Sequence, residues 1–502
     1  MKRFTSFIFA LLAALVMHAS LHIVLVKNSP CQTITGFGAA CCDGAMKPFG
    51  DDVVPVMLLY GPKSKVGLNI MRMEISPNLE DKADQWGDYD WNGSLPSAKI
   101  VKAYGGIVFG TPWSPPGEYK TNGTAQGGNS DDQGNKRGKL RTDCYEKFFP
   151  WLNSFLKWMK KNGVDVDAVS IQNEPDWWVS YSGCLYDPQD LVKLVKNYAY
   201  MLDRETYPGV RLISGESLGF TKNYTDPLMQ DEECRKHIDI VAGHLYGHAP
   251  LQYMKESAVL PLKYGKEVWM TEHSVSDGLK DRLPNWSEQL EFARELNECM
   301  LAGGTGYIYW YMRAHWAFVG TGESQYGTAN KKNKLLPRGW VMSHFSKHVT
   351  GSTRMETKAT FTTSTNSALE TSAYIKGDSI IVMAINSSST NHDLRIRLPF
   401  YVKSGEQIIS TGNETDKLCQ QQLFTIDEPV SEYTASMPAY SLNTYVFMID
   451  RDASTAINDL TSAEGDDTKT YYDLQGRPLQ TPRGLCIEKS ADGFTRKVYI
   501  ND

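Results

Sequence analysis

Between residues 34 and 312, short apolar, β-branched runs alternate with longer stretches at helical spacing, and this alternation constrains the fold more than any other feature of the chain. Strand candidates stand at 33–39, 67–75, 106–113, 164–173, 210–216, 238–246, 267–273 and 305–312. Helical stretches separate them, among them 145–162 (YEKFFPWLNSFLKWMKKN), 190–202 and 287–302. Eight strands interleaved with helices predict an α/β fold, a closed (β/α)8 TIM barrel. An open doubly wound sheet is the alternative, but no glycine-rich phosphate turn follows the first strand.

At 502 residues the chain exceeds one core, because cores stop growing at roughly 250 to 300 residues. The barrel is assigned to 35–345. After Lys347 the texture changes to short strands with Thr, Ser and Asn turns, as in ALETSAYIKGDSIIVMAINSSST, which predicts an appended antiparallel β-sandwich over 346–450. The early run HIVLVKN, within 21–34, is expected to pair with those late strands. Polar, acidic 451–469 reads as a linker, and 470–502 returns to alternation as a short C-terminal β tail. At the N-terminus, Lys2 and Arg3 precede an apolar run from Phe4 to Met17 and then small residues, so 1–20 reads as a signal peptide. That run falls short of the ~20 residues a membrane-spanning helix needs, and no later stretch is long enough, so a secreted protein without a membrane span is expected.

Composition narrows the partners. A formal charge of -6 supplies no broad basic surface, which removes the main driving force for nucleic acid. A neutral substrate suits that balance, and twelve Trp and 26 Tyr, most of them core residues, are a rich supply of flat faces on which the C–H faces of sugar rings can stack. The nine cysteines, at 31, 41, 42, 144, 184, 234, 299, 419 and 486, lack paired C-x-x-C spacing, and no His cluster has the H-E-x-x-H pattern. No metal and no cofactor is implied, the pairing of the cysteines stays open, and a monomer is expected.

In a barrel of this kind the reactive groups stand at the C-terminal strand ends, where the βα loops form the mouth. The fourth strand candidate ends in Asn173 and Glu174, followed by Pro175; the seventh ends in Glu272. Two acids from different strands are thus aimed at one mouth. Glycoside cleavage requires such a pair, one acid protonating the departing oxygen and the other attacking the anomeric carbon or activating water. A separation of about 5 to 5.5 Å gives retention and roughly 6.5 to 9.5 Å gives inversion. Sequence alone gives no distance.

QNEP at 172–175 and TEH at 271–273 resemble the acid/base and nucleophile motifs of the retaining (β/α)8 hydrolases. Together with TITGFGA, LNIMRMEIS, GTPWSPPGEYKTNG, AGHLYG, EVWMTEH and RGWVMSHFSK they resemble glycoside hydrolase family 30 over roughly residues 20–450. The resemblance implies Glu174 as general acid/base and Glu272 as nucleophile. It further implies Asn173 on the sugar 2-hydroxyl, Arg72 keeping Glu272 ionised, and Tyr246 donating to Glu272 with His244 on the same wall. Trp113 and Trp310 would form floor and wall at the cleavage point, with Trp177, Trp178 and Trp316 at flanking subsites.

The xylan-cleaving subfamily is resembled most, and a retaining endo-β-1,4-xylanase is the activity implied. Its members carry a second strand-eight Arg that clamps a glucuronate branch. Here Arg313 is followed by Ala314 at the clamp position, and Asp277 stands near the place of a Ser contact. Independence from glucuronate branches is therefore expected, with Arg313 as the one substitute. Within the family the alternative is another β-glycosidase such as a β-1,6-glucanase; outside enzymes, it is a non-catalytic carbohydrate-binding surface protein. The tail, with YYDLQGRPL, resembles the C-terminal tails of exported Bacteroidetes proteins.

Overall fold

A computed structural model describes residues 20–42, 52–61, 63–78, 91–128, 137–274, 282–313, 317–324, 327–360, 368–454, 470–472, 478–479, 484–489 and 495–500. The expected signal peptide, apart from Ser20, and most of the expected linker lie outside these residues. So do Trp316, Ala314 and Asp277.

The first strand, β1 (Ser20–Thr33), precedes the barrel. Eight parallel strands then close on themselves in chain order: β2 (Gly36–Ala40), β3 (Ile70–Ile75), β4 (Ile107–Pro112), β5 (Ala168–Ser170), β6 (Arg211–Ile213), β7 (Ile240–His244), β8 (Glu267–Glu272) and β9 (Gly306–Tyr309), with β9 pairing back onto β2. Every strand candidate of the barrel is present, but the ladders are shorter than the apolar runs that announce them. The C-terminal residues of several runs peel away into βα loops. Asn173, for instance, leaves β5 and keeps only an isolated bridge to Glu216. That early departure turns side chains toward the mouth.

Inward residues of the strands, Ile70, Phe109, Ala168, Ile213, Ile240, Ala242, Trp269 and Ile308, fill the barrel as one apolar cluster. Trp269 fits because β9 begins with Gly306, where a Cβ would stand 2.9 Å from the indole. Outward residues pack on the helices. Helix α1 (Tyr145–Lys161) buries Phe148, Phe149, Trp151, Leu152, Phe155, Leu156 and Met159 along one face, and α2 (Pro188–Tyr198) buries Leu191, Leu194 and Val195. Helix α3 (Trp286–Leu301) begins at Asn285, whose side chain and that of Glu288 form a reciprocal capping box.

The β-rich unit is a seven-stranded sheet of β1, β10 (Thr353–Thr360), β11 (Leu369–Lys376), β12 (Ser379–Asn386), β13 (His392–Ser410), β14 (Gln420–Met437) and β15 (Ser441–Ile449), in the order β1-β10-β11-β12-β15-β13-β14. It folds over itself because β13 changes partner. Its first half runs parallel to β1, its second half antiparallel to β15, and its register against β14 shifts between Arg397 and Val402. Val24, Val382, Leu394, Ile396, Tyr445 and Phe447 lie in the core so enclosed.

Two helices tie this unit to the barrel. Arg294 on α3 meets Glu370 on β11 at 2.6 Å, and Trp286 donates to the Tyr440 carbonyl at 2.6 Å. On α4 (Pro337–Ser346), buried His344 bonds Thr444 and Ser410, each at 2.8 Å. Burial lowers His344 to about 3, so its ring is neutral and serves as donor on one side and acceptor on the other. The tail contributes β16 (Thr470–Tyr472), β17 (Pro478–Leu479), β18 (Gly484–Lys489) and β19 (Thr495–Ile500), a separate four-stranded sheet.

Candidate active site

The mouth of the barrel is built from strand ends. Glu174 stands just past β5 with φ of 44°, a left-handed conformation that a non-glycine residue adopts at some cost. Its backbone N–H donates to the Glu216 carbonyl at 2.8 Å, and that of Asn173 to the Pro112 carbonyl at 2.9 Å, so neighbouring strands over-determine the turn. Glu272 is the final residue of β8. A donor atom from each of Glu174, Glu272 and His244 lies within 4.8 Å of the other two.

Arg72, on β3 and fully buried, organises the floor. One guanidinium nitrogen reaches Glu272 at 2.6 Å; the other donates to the Asn173 side-chain oxygen at 2.8 Å and lies 3.1 Å from Glu216. The Nε donates to Thr111 at 3.4 Å, and Thr111 in turn donates to Glu216 at 2.8 Å. The guanidinium carbon stands 4.6 Å from the Trp113 ring centre and 5.9 Å from that of Trp310, within cation–π range of both. The acids are held differently. Glu272 receives Arg72 and the Tyr246 hydroxyl, at 3.2 Å, whereas Glu174 receives the His244 Nδ1–H at 3.1 Å.

His244, on β7, is wholly enclosed between carboxylates, its Nε2 facing Glu216 at 3.4 Å. Burial lowers its pKa, but the charge of Glu272 and the hydrogen bonds to Glu174 and Glu216 prevail and raise it to about 9, so the ring is an imidazolium at neutral pH. For Glu216, burial raises the pKa, and Arg72 and His244 outweigh it, holding the carboxylate at about 2. Burial raises Glu272 and the charge of Glu174 adds to that, while His244 and Arg72 act in the opposite sense. Two cations thus sit among three acids, and the cluster is charge-dense without being unpaired. Glu174, His244 and Glu272 offer the donor types a metal takes. In this arrangement both ring nitrogens of His244 face carboxylates, and the Arg72 guanidinium occupies the side of Glu272 that a cation would approach.

Among the residues expected from sequence, the structure brings together Glu174, Glu272, Asn173, Arg72, His244, Tyr246, Trp113 and Trp310. The two Trp rings lie 5.9 Å apart at 33°, and Tyr311 packs on Trp310 at 3.9 Å. Trp177 is 53% exposed on the loop after β5; Trp178, half-buried beside it, stacks under the Arg137 guanidinium at 5.7 Å. Arg313 departs from expectation. It is buried, and one of its guanidinium nitrogens donates to Asp52 at 3.3 Å. Sequence reading passed over Glu216, Thr111, Tyr181 and Tyr311. Glu216 ends the fifth strand candidate, and the strand-end rule that selects Glu174 and Glu272 selects it equally.

The profile described as "Glycosyl hydrolase catalytic core" matches residues 143–312, the stretch holding both acids. Glucuronoxylanase XynC of Bacillus subtilis (strain 168) is 26% identical over 391 residues, 76% of this chain and 82% of that protein. Among solved structures, the glycoside hydrolase family 30 subfamily 8 xylanase Xyn30A from Clostridium acetobutylicum superposes with a TM-score of 0.67 at 28% identity, covering 85% of this chain and 99% of that one. This chain is similar to glycoside hydrolase family 30 xylanases. The GH30 endoxylanase from Clostridium papyrosolvens C71 agrees, at 26% identity and a TM-score of 0.66 over 86% of this chain and all of that one. With the catalytic-core profile, these likenesses make the chain a glycoside hydrolase.

Proposed function

We propose that this glycoside hydrolase is a family 30 endo-β-1,4-xylanase acting by double displacement. Glu272 attacks the anomeric carbon while Glu174 protonates the departing oxygen; water, deprotonated by Glu174, then releases the sugar from Glu272. The observation that carries the reading is the carboxylate geometry, in which oxygens of Glu174 and Glu272 lie within 4.8 Å. This fits the roughly 5 to 5.5 Å separation of retaining enzymes and leaves no room for the water an inverting mechanism places between the acids. The contacts divide the labour. Arg72 and Tyr246 orient one oxygen each of Glu272 for attack, and the imidazolium of His244 stands on Glu174, where it stabilises the carboxylate left after proton donation.

Two glucuronoxylanases and two xylanase structures of the family, at 26 to 28% identity and long coverage, support xylan as the substrate. Independence from glucuronate branches is favoured by the Arg313–Asp52 pairing, which occupies the guanidinium nearest the missing clamp. Export is favoured by Lys2, Arg3 and the apolar run after them, and no helix among the described residues is long and apolar enough to cross a membrane. Products from unsubstituted xylan, glucuronoxylan and β-1,6-glucan, resolved by chromatography, test the reading. Oligosaccharides are expected from both xylans at comparable rates; cleavage of the glucan alone would overturn the substrate, and cleavage of glucuronoxylan alone would overturn the branch independence.

A further inference from the structure

Lys120, from the segment GTPWSPPGEYKTNG, is only 2% exposed, and the chemistry of the acids makes no use of it. Its ammonium donates to three backbone carbonyls, those of Ala125 at 2.9 Å, Gln126 at 2.9 Å and Gly183 at 2.6 Å. The first two belong to the loop after β4 and the third to the loop after β5, the loop that carries Glu174. Three N–H groups on a compact charge match three convergent carbonyls, an arrangement in which lysine does what a bound cation would do. Without it, three carbonyl dipoles would face one another in a buried space.

The backbone continues the seam. Gly127 donates to Tyr181 at 2.8 Å, Gly183 to Ala125 at 3.2 Å, and Gln126 and Ser182 form an antiparallel bridge. The strands approach so closely that a Cβ on Gly127 would lie 2.1 Å from the Val179 carbonyl oxygen. Tyr181 rides on this seam, fixed through its carbonyl yet 57% exposed. Its phenol senses both acids: partial burial, then the charges of Glu174 and Glu272, push it up to about 12. An exposed aromatic ring whose backbone is fixed on the loop that carries Glu174 has the form of a stacking platform.

We propose that Lys120 is a positioning residue that locks the loops after β4 and β5 together, and that Tyr181, held by this lock, stacks on a sugar unit flanking the cleavage point. The inference rests on the glycan-cleaving reading of the site and adds to it a residue that sets affinity for a polymer. The test is steady-state kinetics on xylan, or on whichever glycan of the panel the wild type cleaves, for Lys120→Met, Tyr181→Ala and the double variant. Each single change is expected to raise KM about fivefold to tenfold with kcat within about twofold, and the double variant to match the larger single effect, since both act through one ring. An unchanged KM in Tyr181→Ala, KM effects that multiply in the double variant, or a loss confined to kcat would overturn it.

Should Lys120→Met not fold, Gly127→Ala displaces the same seam and must raise KM likewise; an unchanged KM there counts against the proposal. The two readings fail separately. A wild type that cleaves none of the glycans refutes the proposed function, and retardation of the same variants in glycan-containing gels then decides the role of the loop lock.

Discussion

Replacing Glu216 by Gln removes one negative charge from a cluster that has no solvent to compensate it. Glu216 is fully buried, accepts from Thr111 at 2.8 Å, and faces Arg72 at 3.1 Å and His244 at 3.4 Å. The carboxamide keeps the shape and loses the charge, leaving the guanidinium and imidazolium with fewer partners. Against burial, Arg72 and His244 hold the carboxyl near 2 rather than the ordinary 4.5, a difference worth about 3 kcal/mol. Because the folded-state value is depressed, this stability is present above pH 4.5 and is lost as pH falls through about 2.

His244 carries the opposite sign. Its folded-state value is raised from 6.5 to about 9, so its contribution is complete below pH 6.5 and disappears as pH rises through 9. These describe one ion cluster seen from two partners and are not summed. Breaking a buried pair by removing one member costs about 3 to 5 kcal/mol, which for a domain of this size lowers Tm by roughly 5 to 8 °C. Thermal melts followed by circular dichroism at pH 7 measure it directly. In wild type Tm should fall between pH 7 and 10; in Glu216→Gln the fall should begin at lower pH, because His244 has lost a charge partner. A variant melting within about 2 °C of wild type at pH 7 would refute the reasoning.

Other consequences are sharper for catalysis. Glu174→Gln should lower kcat on xylan by about 10² to 10⁴-fold, with much of the loss recovered on a glycoside whose leaving group needs no proton; an equal loss on both substrates would remove Glu174 from the acid role. Tyr246→Phe deletes the 3.2 Å bond to Glu272 and should reduce kcat/KM by roughly tenfold with Tm nearly unchanged. Trp113→Ala removes the ring 4.6 Å from the Arg72 guanidinium and should lower both Tm and kcat, measured by melts and initial rates, since the floor and the ion cluster share that contact.

Much of this was legible in the sequence because barrel register converts strand ends into a shared mouth. Glu174 and Glu272, remote along the chain, required only that rule. Strand lengths were not legible: apolar runs such as 164–173 continue past the ladder of β5, since burial in a βα loop demands the same residues as burial in a strand. Arg313 illustrates a second limit. Its partner Asp52 lies 261 positions away, and no spacing rule links them. Glu216 was visible in principle, but its strand end offered no recognised motif, and its function as counter-ion to both Arg72 and His244 exists only in three dimensions. Lys120 is harder still, because its partners are backbone carbonyls, which sequence does not label.

The most direct test of the paired acids is the anomeric configuration of the first product, followed by proton NMR immediately after enzyme is added to a β-linked xylo-oligosaccharide. Attack by Glu272 and then by water inverts the carbon twice, so the β-anomer should accumulate first and mutarotate afterwards. Initial appearance of the α-anomer would show a single displacement by water and would contradict the assignment of Glu272 as nucleophile.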